Sequence, residues 1–128
     1  MPLAGMHFSE VLPKAAVSAA MARRTLDRLS SEVDRRRLED ARLLVTELIA
    51  NAVEHVDAQG VIELRVDNDA ERLRVDVIDP GPGFAADPDH PGELAESGWG
   101  LHFVSRIADR WGAEVGGTGR VWFELMSR

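Results

Sequence analysis

The chain has 128 residues, 45% of them hydrophobic and 29% charged, which bounds it to one domain around one core and excludes the composition of a disordered chain. A formal net charge of -7 sets its field against a nucleic-acid groove or an anionic membrane surface as partner. The lack of cysteine excludes disulfides and thiolate metal sites, and no apolar run approaches the roughly 18 residues that span a bilayer, so the expectation is a cytoplasmic protein.

In chain order, "MHFSEVL" (6–12) reads as a short edge strand. Residues 14–29 place Val17, Ala20, Met21, Leu26 and Leu29 at helical spacing among strong helix formers, with Pro13 near the start, and predict a first helix. Arg35, Arg36 and Arg37, followed at once by Glu39 and Asp40, read as a solvated helix face. Residues 34–56 predict a second helix, on which Leu44, Val45, Leu48, Ile49, Ala52 and Val56 share an arc of about 140° and form the core stripe. "VIELRV" (61–66) and "RLRVDVID" (72–79) alternate apolar and polar around "DNDA", which predicts a hairpin with one face buried.

From Pro80 to Gly100 the sequence turns to Gly, Pro, Asp and Glu over a length that suits a lid or binding loop better than a connection. Leu101, Val104, Ile107, Ala108 and Trp111 then mark a third helix, and the chain ends with "AEV", a "GGTG" turn and a last strand in "RVWFELM". Strands joined by hairpins, with helices before and between them, predict an α+β two-layer sandwich. About three helices would pack on one face of a mixed, mostly antiparallel sheet, in a single domain over 1–128.

Within "TELIANAVEH" (46–55), Glu47, Asn51 and His55 step by roughly 40° each on the helical wheel and run along, then into, the edge of the core stripe. A half-buried carboxylate costs free energy unless something pairs with it, so the row asks for a ligand, a cation or a buried partner. Taken alone, it is equally a helix whose apolar stripe has polar flanks. "VIDPGPGF" puts Asp79 at a strand end, with Gly81 and Gly83 letting the backbone approach a ligand, although Asp-Pro-Gly is also ordinary turn chemistry. "SGWGLHFV" puts Gly98 and Gly100 before a helix whose free N–H groups suit phosphate oxygens. The sequence contains no P-loop motif.

Together these stretches are specific. An acid and an amide one turn apart, then strand-D-x-G-x-G, a long polar loop and G-x-G-L opening a helix resemble the GHKL ATPase superfamily and its Bergerat ATP-binding fold. "TELIANAVEH", "ESGWGLHFVSRIADRWG" and "VWFEL" look most like the bacterial anti-sigma-factor serine/threonine kinases. The resemblance implies ATP and Mg²⁺ as cofactors. It gives Asn51 as the Mg²⁺ ligand, Glu47 as general base and Asp79 as acceptor for the adenine amino group. Gly81 and Gly83 would lie at the base, residues 84–97 would form the lid, and Gly98, Trp99, Gly100 and Leu101 would form the phosphate-facing end.

Implied partners are a sigma factor and a small anti-anti-sigma protein of the STAS type. A homodimer is typical of these kinases, and the Ala-rich first helix offers a face for one. Two departures stand out: many relatives carry arginine where this chain has Trp99, and threonine where it has Arg120. Alternatives are a non-catalytic, nucleotide-gated regulator and a stand-alone histidine-kinase-like catalytic domain.

Overall fold

A computed structural model describes residues 5–55, 60–79, 101–114 and 119–127. In chain order these form β1 (Met6–Pro13), α1 (Val17–Leu26), a 3-10 turn (Asp27–Leu29), α2 (Arg35–His55), β2 (Val61–Asn68), β3 (Arg72–Asp79), α3 (Leu101–Ile107), β4 (Arg110–Glu114) and β5 (Gly119–Met126). The strands make one sheet in the order β1-β2-β3-β5-β4, and each of its four pairings is antiparallel. The sheet expected as mixed or antiparallel is thus antiparallel among the described strands.

The period of two sorts the strand residues into two faces. One register row on the inner face runs Phe8, Val66, Val75, Phe123 and Trp111 across all five strands. Above it Leu44, Val45, Leu48, Ile49 and Ala52 of α2 and Ala22 and Leu26 of α1 are fully or almost fully buried, so the helices and the inner sheet face share one core. The hairpin turn between β2 and β3 is held by Asp69, whose carboxylate accepts the backbone N–H groups of Glu71 and Arg72 at 2.8 and 3.0 Å.

The outer face is charged. Asp76 and Glu124 project from it, yet each is only 2% exposed. Arg74 bridges them, with Nε 3.0 Å from Asp76 and Nη1 3.3 Å from Glu124, while Arg72 reaches Glu124 at 2.6 Å. Arg74 also lies over the Trp122 ring, 4.1 Å from its centroid, and the bare backbone of Gly112 makes room for that indole.

Four local expectations are corrected. Pro13 ends β1 and does not start the first helix, which begins at Val17. Val17 is 57% exposed, and the buried face of α1 is Ser18, Ala22, Thr25 and Leu26. The third helix stops at Ile107, and Trp111 belongs to β4. The Asp109 N–H donates to the Glu124 carbonyl at 3.0 Å and its carboxylate accepts the Met126 N–H at 2.7 Å, which ties the chain to β5 before another turn can form. Arg35 and Arg36 are exposed as expected, but Arg37 is half-buried and ion-paired to Asp34.

Candidate functional site

The site is built on α2. Its N-terminus is fixed by Asp34, whose side chain accepts the Arg37 N–H at 3.1 Å, while the Asp34 carbonyl accepts the Leu38 N–H at 3.0 Å. The 21-residue helix then buries its Leu/Val/Ile/Ala stripe against β3 and β5. Glu47 is half-buried and Asn51 is 7% exposed, so the polar row does pass from the edge of the stripe into it. The His55 backbone closes the helix, and its side chain lies outside the described residues.

Asp79, the last residue of β3, continues the inner-face series Leu73, Val75, Val77 and is fully buried. It thus projects on the side that α2 covers. Across the sheet it pairs with Gly119. Arg120, which stands where many relatives carry threonine, points the other way: its Nε lies 3.7 Å from Asp76 on the outer face.

A residue not foreseen from the sequence completes the described site. Lys14 follows β1, and its Nζ lies 2.9 Å from Asp79 Oδ2, with side-chain exposures of 3% and 0%. Two charges removed from water repay their desolvation only in close geometry, and deleting either one is costly. The available signal was that Lys14 is the only lysine in the chain.

The remaining predicted positions, Gly81, Gly83, Gly98, Trp99 and Gly100 with the lid at 84–97, lie outside the described residues. Leu101 opens α3 as expected of the residue after G-x-G, and its side chain lies outside the described set. The described residues hold no group of three or more His, Cys, Asp or Glu able to cage a metal. Mg²⁺, which takes one or two protein oxygens together with substrate phosphates and waters, would find one side-chain amide oxygen at the nearly buried Asn51. A separate open cleft of 740 Å³ lies at the start of α2, lined by Arg36, Arg37, Asp40, Arg106, Asp109 and Met126. Its charges are mixed, and it lies at the opposite end of α2 from the Glu47–Asn51 row.

Residues 12–122 match the family described as "Histidine kinase-like ATPase domain". Blue-light-activated histidine kinase 2 of Erythrobacter litoralis is 38% identical over 87 residues, 62% of this chain and 24% of that protein. The crystal structure of the RsbU and RsbW domains of Rv1364c from Mycobacterium tuberculosis superposes with a TM-score of 0.70 at 21% identity, covering 99% of this chain and 33% of the other. The chain therefore spans about a quarter of that curated relative and a third of that solved structure. With most of its length inside the family match and the α+β fold expected of it, the chain belongs to the histidine kinase-like ATPase domain family, whose members bind ATP.

Proposed function

We propose that this histidine kinase-like ATPase domain is a serine/threonine protein kinase that acts as an anti-sigma factor, phosphorylating an anti-anti-sigma partner and sequestering a sigma factor. The observation that carries it is the Glu47–Asn51 row, an acid and an amide one turn apart that enter the core on the helix packed against β3, the strand that ends in Asp79. A module that only binds nucleotide needs no base at position 47. Similarity in fold to a structure containing an RsbW domain supports the same class.

In this reading Asp79 accepts a hydrogen bond from the adenine 6-amino group. Asn51 offers its side-chain oxygen to Mg²⁺, which when bound neutralises charge on the phosphates. Glu47 accepts the proton of the attacking serine hydroxyl as its oxygen bonds to the γ-phosphorus and the bond to the β,γ-bridging oxygen breaks, releasing ADP. Gly98, Trp99 and Gly100 would present backbone N–H groups to the phosphates, with Gly81 and Gly83 against the base. Most of the rate comes from positioning and charge neutralisation, with the base adding about 10²- to 10⁴-fold.

Glu47→Ala tests this directly. It should bind ATP as the wild type does and lose phosphoryl transfer to an anti-anti-sigma substrate by at least about 100-fold. Unimpaired transfer would remove Glu47 from the role of base. The histidine-kinase relative favours a second reading, in which the acceptor is a histidine. The two differ in product: phosphoserine survives acid, whereas phosphohistidine is hydrolysed by acid and survives alkali.

A further inference from the structure

Lys14 stands where three elements meet. Its N–H donates to the Gly60 carbonyl at 3.3 Å, immediately before β2, and Gly60 adopts φ 114°, the one positive φ among the described residues. On the other side the Ser18 hydroxyl of α1 donates to the Pro13 carbonyl. The backbone that carries the lysine is therefore fastened to the starts of both β2 and α1. The side chain runs inward with only 3% of its surface exposed and ends 2.9 Å from Asp79 Oδ2.

Such a pair is a poor choice for stability alone, because apolar residues of the same volume often serve a core as well or better. Fourteen other basic side chains in this sequence are arginine, and those that meet buried carboxylates, at Asp76 and Glu124, do so from partly exposed positions on the outer face. The buried lysine is set against the carboxylate at the end of β3, and Gly119 across the sheet supplies no side chain to hold that carboxylate. A carboxylate at the end of a short side chain turns about its Cβ–Cγ bond. An ammonium held 2.9 Å from Oδ2 attracts that oxygen and so biases the plane of the group.

Resting on the reading of Asp79 as the base-recognising residue, we infer that Lys14 is a positioning residue for nucleotide specificity. By its charge beside Oδ2 it favours the rotation of the Asp79 carboxylate that accepts a donor from the purine 6-position. The site then selects a 6-amino purine over a 6-oxo purine, whose carbonyl would meet the carboxylate as acceptor against acceptor. Lys14 itself does not touch the nucleotide.

The test compares ATP with ITP, which differ at the 6-position, by calorimetric titration of the whole chain. The wild type is expected to prefer ATP. Lys14→Met should reduce that preference by about tenfold, the scale of one close charge pair, through loss of ATP affinity and not gain of a general defect. Lys14→Arg, which keeps a charged donor, should restore most of it. If the methionine variant does not fold, Lys14→Gln takes its place, with the same expected loss.

A merely structural lysine would weaken ATP and ITP alike, so an unchanged ATP-to-ITP ratio in the folded methionine or glutamine variant overturns the inference while leaving Asp79 as the base acceptor. A wild type that binds both nucleotides equally would overturn the reading of Asp79 and this inference with it.

Discussion

Glu47 and Leu48 are neighbours on α2 whose substitution should have opposite consequences. Leu48 is 1% exposed in the shared core, and Leu48→Ala should cost about 2–5 kcal/mol of stability. Glu47 is half-buried and borders that core, so Glu47→Ala should change stability by less than about 1 kcal/mol. Chemical denaturation of both variants checks the contrast: a Glu47→Ala loss as large as that of Leu48→Ala would make the acid part of the scaffold. The positions of Glu47 and Asn51 were legible because both lie on one helix, where a wheel angle fixes burial. Lys14 was not legible, since its partner lies 65 residues away and a lysine after a proline looks like any surface lysine.

At the level of elements, α2 carries the proposed site and its start depends on Asp34. The Arg37 side chain, and after it the Arg37 backbone N–H, hold the Asp34 carboxyl below the usual carboxylate range. A carboxyl lowered on folding stabilises the protein fully above its unfolded value, and that contribution fades as the pH falls through the lowered folded value. Through loss of the bond from the Arg37 N–H at the helix start, Asp34→Ala should cost about 1 kcal/mol at neutral pH, with a melting-temperature gap from wild type that closes as the pH drops below the carboxylate range. A gap that stays constant down to strongly acidic pH would exclude this cap as its source. The strands and α2 were placed well by their periods of 2 and 3.6. The end of α3 was not, because Ile107 to Trp111 is a helical step of four and only the bonds of Asp109 to β5 divert the chain into β4.

For the whole molecule, the inner sheet face and the helices make one continuous core, while the outer face carries a network of arginines over Asp76 and Glu124. The two-layer architecture followed from the order of hairpins and helices, but the burial of charge on the outer face did not, since alternation marks those residues as solvent-facing. The family match over residues 12–122 makes this an ATP-binding domain, whose nucleotide site we propose is formed by the α2 row and Asp79. Calorimetric titration of Mg-ATP into the wild type and Asn51→Ala tests that claim most directly. Saturable one-site binding is expected in the wild type, reduced at least about tenfold in a variant that melts as wild type does, as follows if Asn51 is a ligand to the bound cation. Equal binding by both proteins, or none by the folded wild type, would contradict it.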